Sequence, residues 1–423
     1  MELNNQSYSH FPNNPFIFKF CFLFIVFFIL IFNNNSFWFL SIISPFTHAA
    51  LIFIIYFITE NKEALPQSKY QLTNGSGDTH YAWYALLLIL IISIIGAICW
   101  HYLNRKDKNL SLLHRILTVV IRYYVGFTLF KYGLVKILGL QFNFPSLLSL
   151  TEPLSQFSPM GLAWRFMGFS YGYQLTMGII ELFGLLLLFK KTSLLGACIS
   201  LMVSVQVLLI NYFFDVPVKM VSTALVIFSL FLLAPNIKQF YRLFFSNQQV
   251  MLIRDPTFHS SKKWVNRTLI ACKYLIILSC FGFFGFILQR NINTLKTLNK
   301  DRSSLYGAYF IPNEEYSKRK HFNIPADWDL LVFQQKNHVF IRDQVGSLKA
   351  LTIDLDTIKK DLYLSMLKEN ILQVHYQKDK DGNLIFTLPQ NDTITLRLNK
   401  INLDDIDLKT RGFNWIQNFP YNK

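Results

Sequence analysis

What this chain has little of narrows its class before any motif is sought. Only five of its 423 residues are cysteine (Cys21, Cys99, Cys198, Cys272 and Cys280), all inside apolar runs and none beyond position 280. That excludes a disulfide framework and a CxxC metal pattern, and leaves small apolar packing residues as the plain reading. No HExxH, P-loop, GxSxG or GxGxxG element occurs, so hydrolase, kinase and nucleotide-binding chemistry find no support. The nine histidines are scattered, and none pairs at i, i+4 within an apolar run as a metal or haem helix requires. Acidic residues are scarce, 25 against 41 Lys and Arg. The imbalance is concentrated: 21 Lys/Arg stand against 9 Asp/Glu up to Gln289, and 20 against 16 after it. No basic patch interleaved with aromatics stands outside the apolar part, so no nucleic-acid partner is expected.

Long apolar runs are also absent after about Leu288, and that absence divides the chain. Over the whole chain, 52% hydrophobic composition, 42 Phe and a mean hydropathy of +0.30 exceed what a soluble core hides, and the long apolar runs all stand before that point. A spanning helix needs roughly 20 apolar residues. Candidate spans are Phe16–Phe32, Tyr81–Leu103, Ile116–Leu138, Tyr173–Phe189, Leu194–Phe213, Val218–Leu233 and Thr268–Leu288. Phe37–Ile58, broken by Pro45 and His48, either makes an eighth crossing or lies in the interface. Asp78 and Thr79 suit the N-cap of the helix that follows them. Loop charges then orient the whole. Arg105, Lys106, Lys108, Arg115, Lys190, Lys191, Lys238, Arg242, Arg254, Lys262, Lys263 and Arg267 fall in one set of loops. The other set holds Lys62, Lys69, Arg165 and Lys219. The first set should be cytoplasmic, which places the tail outside, and the N-terminus inside only if Phe37–Ile58 does not cross.

The tail changes period. Ala350–Leu355, Leu362–Met366 and Thr393–Asn399 alternate apolar and polar, and Trp328–Phe333, Val339–Ile341, Leu372–Tyr376 and Leu384–Leu388 are strand-like between polar turns. About eight short strands suit a small up-and-down antiparallel barrel. The fold class expected is therefore an all-α polytopic membrane bundle followed by a small all-β barrel. Its parts are N-terminal helices and loop (1–115), a four-helix bundle (116–235), a basic cytoplasmic linker (236–267), a last span (268–289) and the β-rich domain (300–423).

Ionisable residues inside spans are costly and mark candidate sites. Thr128, Tyr132 and Lys136 make a polar stripe at i, i+4, i+8, with Arg122 on nearly the same face. Glu181 sits near the middle of its span, Gln206 and Asn211 in the outer half of theirs, and Asp215 and Lys219 flank Pro217 at the boundary. Tyr132, Lys136, Glu181, Gln206, Asn211, Asp215 and Lys219 form the candidate polar pocket, able to bind a proton, a quinone carbonyl or an anion. The bland alternative is a structural Glu181–Lys136 pair with Asp215 and Lys219 marking the membrane surface. For Lys131, snorkelling or a lipid-phosphate contact stands equal to a site role.

From Arg122-Tyr123-Tyr124 to Pro235-Asn236 the chain resembles the DoxX family of bacterial membrane proteins. The segments that carry the resemblance are Tyr132–Lys136, Phe144–Leu147, Ser158–Leu162, Phe166–Gly168, Glu181–Lys190, Asn211–Lys219 and Leu232–Pro235. Asn74–Thr79, Leu305–Gly307 and Arg411–Ile416 extend it to longer members. It implies a four-helix core (Ile116–Leu233) in a bacterial inner membrane, with the barrel on the periplasmic side. Some members are linked to thiosulfate:quinone oxidoreductase or redox-stress complexes, so a quinone is the cofactor it implies, in a redox subunit. The tail resembles small lipocalin-like domains. The alternative is a non-catalytic scaffold whose outer β-domain binds a membrane or periplasmic protein partner or lipid. A transporter is weakened by the lack of an internal repeat or a Gly/Pro-interrupted helix pair.

Overall fold

A computed structural model describes residues 14–60, 65–66, 76–103, 110–246, 249–253, 262–365, 371–412, 414–415 and 417. Of the loop charges used for orientation, Lys62, Lys69, Arg105, Lys106, Lys108 and Arg254 lie outside the described residues, as do Asn74 and Gly75. The chain forms two compact units. One comprises residues 1–143 and 159–292; the other comprises 144–158 and 293–423.

The first unit is helical. Its elements are α1 (Pro15–Ile31), α2 (Leu40–Thr59), α3 (His80–Leu103) and α4 (Leu110–Ile137). Next in this unit come a short helix Pro159–Phe169, numbered α6, and α7 (Tyr171–Leu182), which tightens into a 3₁₀ turn over Phe183–Leu188. Then follow α8 (Ser193–Phe213), α9 (Lys219–Leu233), α10 (Ile237–Phe245) and α11 (Lys263–Lys300). Among the described residues seven helical stretches are long and apolar enough to span: Leu40–Thr59, His80–Leu103, Leu110–Ile137, Tyr171–Leu188, Ser193–Phe213, Lys219–Phe245 and Lys263–Thr297. The chain is a multi-pass membrane protein.

Helix α1 has 17 residues, just short of that length, yet its packing gives it a direction. Its start meets the end of α3, through Phe16 against His101 and Phe22 against Trp100. Its end joins Tyr81 and Ala85 at the start of α3. The two helices are antiparallel, so the chain leaves α1 and enters α3 at the same end of the bundle. The stretch holding α2 therefore makes no net crossing.

Helix α4 is the hub, with residues from Leu117 to Phe130 buried almost without break. Glycines let its neighbours close on it. A Cβ on Gly133 would lie 2.7 Å from the Gly178 carbonyl oxygen, and one on Gly178 equally close to that of Gly133. A Cβ on Gly184 would lie 2.9 Å from the Leu129 Cβ. Small residues at a crossing are how membrane helices gain dispersion contact where no hydrophobic drive separates helix from lipid.

The second unit is a closed antiparallel barrel of eight strands in sequence order, as the tail's alternation predicts. The strands are β1 (Arg302–Phe310), β2 (Trp328–Gln335), β3 (His338–Asp343), β4 (Leu348–Asp356), β5 (Asp361–Ser365), β6 (Ile371–Lys378), β7 (Leu384–Leu388) and β8 (Asn391–Lys400). The barrel closes where Tyr309 and Phe310 pair with Lys400 and Asn399. Closure removes the edges that an open sheet would expose. Tyr309, Leu331, Phe333, Val339, Ile353, Leu364, Val374, Phe386 and Leu396 belong to its apolar interior. β2 reads as a continuous apolar run because both its faces are covered. Leu331 and Phe333 point in, while Leu330 and Val332 form a separate outer cluster with Ala308 and Leu147. Leu147 begins a one-turn helix, α5 (Leu147–Thr151), within segment 144–158. The segment is pinned by Arg342, whose Nη1 donates to the Thr151 carbonyl while its other nitrogens fork onto Asp329, and by Leu148 N–H donating to Gln334.

Candidate functional site

Lys136 and Glu181 meet inside the helical unit. The Lys136 Nζ donates to Glu181 Oε1 at 2.7 Å and Oε2 at 2.8 Å, and the two side chains are 9% and 1% exposed. Local sequence places them. Gly133 and Gly178 touch backbone to backbone, and each charged residue follows its glycine by three positions, on the same helix face. The pattern Gly-x-x-Lys on α4 against Gly-x-x-Glu on α7 thus sets the ion pair. Helix α4 then ends in a Schellman turn, with Gly139 at φ +64° and the Leu140 and Gly139 N–H groups donating to the Val135 and Lys136 carbonyls. That turn brings Phe142 back over the pair. Its ring lies 5.9 Å from the Lys136 Nζ and stacks edge-on against Trp164, while the Tyr132 ring stands 5.7 Å away from the same ammonium. Gln174, two turns before Glu181 on α7, is buried, and its amide nitrogen has no hydrogen-bond partner among the described residues.

The other pocket candidates gather elsewhere. Asn211 donates to the Val218 carbonyl at 3.4 Å and Asp215 pairs with Lys219 at 2.8 Å, all within the α8–α9 turn. The Asp215 side chain is 82% exposed. Gln206 bonds the sulfur of Met177 at 3.8 Å on an exposed face. So Tyr132, Lys136 and Glu181 form one group, Asn211, Asp215 and Lys219 a second, and Gln206 stands with neither.

Two arrangements were not legible in the sequence. Asp78, expected to cap the helix after it, caps α9 instead: its carboxylate accepts from the Lys219 N–H at 2.7 Å and the Met220 N–H at 3.2 Å. Thr79 alone serves α3, accepting from the Ala82 N–H. The Gly77 N–H donates to the Pro217 carbonyl, which fixes the approach. Asp78→Ala should therefore destabilise the bundle by about 1–2 kcal/mol, and Asp78→Asn by less, because an amide oxygen still accepts. Thermal unfolding of the purified chain in detergent measures both; equal losses would mean the carboxylate does not act as a cap.

The second concerns Lys131. Its Nζ donates to the backbone and side-chain oxygens of Asn34 and lies 4.8 Å above the Tyr132 ring. The Asn33–Ser36 turn between α1 and α2 supplies these partners, with Ser36 on Thr128 at 2.6 Å and Asn34 donating to the Tyr132 hydroxyl at 2.9 Å. The signal that could have found them is a run of four polar residues between two apolar stretches. The stripe Thr128, Tyr132, Lys136 is thus shared: its first two members face this turn and its last meets Glu181.

No family model matches the chain, and no solved structure matches it. Among curated proteins it is similar to the uncharacterized protein YwoB of Bacillus subtilis (strain 168), 31% identical over 145 residues. That match covers 34% of this chain and 91% of YwoB. The similarity spans nearly the whole of that relative, and on it the chain belongs to the family of YwoB.

Proposed function

We propose that the chain is a DoxX-like protein of the bacterial inner membrane whose bundle binds a quinone-type head group beside Tyr132, Lys136 and Glu181. The observation that carries this reading is a Lys–Glu pair kept in a spanning region, where desolvating each charge costs several kcal/mol. Two further features support it. The Gln174 amide is a buried donor with no acceptor among the described residues, and a carbonyl oxygen would supply one. The Tyr132, Phe142 and Trp164 rings offer flat apolar surface for a planar ring to stack on. The test is the quinone content of the chain purified in mild detergent. It should fall at least tenfold in Gln174→Leu and in the Lys136→Met, Glu181→Gln double variant, with both still assembled. Unchanged quinone in these variants, or none in the natural chain, would refute the reading.

A scaffold is the second reading. Its support is that both Glu181 oxygens are already taken by one ammonium, as a purely structural pair requires. In that case an outer partner or lipid would be held by the barrel, with Asp215 and Lys219 only marking the membrane surface.

The loop charges support a periplasmic barrel, and the antiparallel packing of α1 on α3 supports a cytoplasmic N-terminus with it. A reporter that matures only outside the cytoplasm should be active when fused after Lys423 and silent when fused after Lys191. Activity of the Lys191 fusion would invert this topology.

A further inference from the structure

Donors outnumber acceptors around the Tyr132 ring. The Lys131 ammonium has three N–H groups, and Asn34 takes two of them, with its backbone carbonyl and its Oδ1. The Tyr132 hydroxyl accepts from the Asn34 amide, which leaves its own hydrogen to donate. Every partner of Lys131 among the described residues is neutral. Lys136 faces the other side of the matter: it lies over the same ring, but Glu181 neutralises it. Among the described residues two cations therefore share one aromatic ring with one carboxylate bonded to them, an excess of one positive charge in a low-dielectric setting.

The place is built rather than loose. Asn34 and Asn35 both take left-handed backbone, at φ 50° and 57°, where asparagine is better tolerated than other side chains. The Asn33 side chain clasps the turn by donating to the Phe37 carbonyl at 2.8 Å and accepting from its N–H at 2.9 Å. Lys131 lies six residues before the end of α4, about 9 Å along the axis. Asn34, Lys131 and Tyr132 are half-buried, each keeping part of its surface exposed.

We propose that Asn34, Lys131 and Tyr132 form a binding site for the oxyanion head group, carboxylate or phosphate, of an amphiphile. A negatively charged oxygen accepts the third Lys131 N–H and the Tyr132 O–H together and cancels the excess charge, which neither a cation nor a neutral donor does. The tail of the amphiphile suits a site on a spanning helix. This site shares Tyr132 with the quinone reading but needs neither Glu181 nor Gln174, so Lys131→Met tests it separately.

The test uses the full chain in neutral-lipid nanodiscs, titrated with fluorescent analogues of oleate, phosphatidic acid and oleyl alcohol, and with inorganic phosphate as competitor. Oleate or phosphatidic acid should bind, and Lys131→Met should weaken that binding by about 10- to 100-fold, the worth of one charge-assisted hydrogen bond. Tyr132→Phe should weaken it by a smaller factor, and Lys131→Arg should retain most of it. Whichever of the two amphiphiles binds identifies the head group. Equal binding of the alcohol, no binding of either anionic amphiphile, or displacement by inorganic phosphate at matched concentration would overturn the proposal. Should Lys131→Met fail to assemble, Lys131→Arg and Tyr132→Phe decide it: loss in Arg with no change in Phe is contrary to the assignment.

Discussion

Lys136→Met alone should destabilise the helical unit by roughly 3–5 kcal/mol, because it leaves the Glu181 carboxylate, 1% exposed, without its counter-ion. Glu181→Gln should cost less, since the amide oxygen still accepts from the Lys136 ammonium and only the charge is orphaned. Combining the two removes both charges, and the double variant should recover most of the stability lost by the worse single one. The coupling, read as the departure of the double variant from the sum of the singles, should exceed about 2 kcal/mol. Reversible unfolding in mixed micelles measures it. Additive single effects would mean the two side chains do not meet. The same variants separate the two functional readings. A structural pair predicts that the double variant regains stability and every binding property, whereas a ligand-binding pair predicts regained stability with quinone still absent.

The sequence made the fold legible wherever one physical requirement acted on many consecutive residues. Spans are legible because hydrocarbon demands apolar side chains for some 20 residues at a time. The barrel is legible because a half-buried strand must alternate, as Thr393 to Asn399 does in β8. The apolar character of β2 is legible but its two-sided burial is not, because the cover comes from Leu147, more than 180 residues away. Lys136 and Glu181 stood out because a charge in a span needs a partner. That the two partner each other is set by the Gly133–Gly178 contact, which no local pattern announces. Asp78 failed as a local cap for a related reason: capping chemistry identifies a carboxylate that wants backbone N–H groups, not which helix supplies them. Asn34 is not legible because a polar turn between apolar runs reads as a solvated loop. Its burial depends on α4 standing behind it.

The barrel, cut from the chain at Asn293, should fold but not stay monomeric. Its interior is complete without the helices, since residues from Leu305 to Leu398 close on one another. A soluble protein with a β-type circular dichroism spectrum is the expected product. What it loses is the segment Phe144–Ser158. Leu147 is 3% exposed, and Ala308, Leu330 and Val332 beneath it are fully buried. Uncovered, they form an apolar patch on the outer face of β1 and β2, and such patches drive association. Arg342 also loses the Thr151 carbonyl and keeps only Asp329. A synthetic peptide of residues 144–158 should reverse this. It should return the isolated barrel to a monomer by light scattering. Saturating peptide should also raise the melting temperature by about 3–5 °C for each kcal/mol it contributes. Burying one leucine contributes about 1.5–3 kcal/mol at most, so a peptide carrying Leu147→Asp should give no shift. A monomeric barrel that ignores the natural peptide would show that the segment merely rests on the strands and that the patch needs no cover.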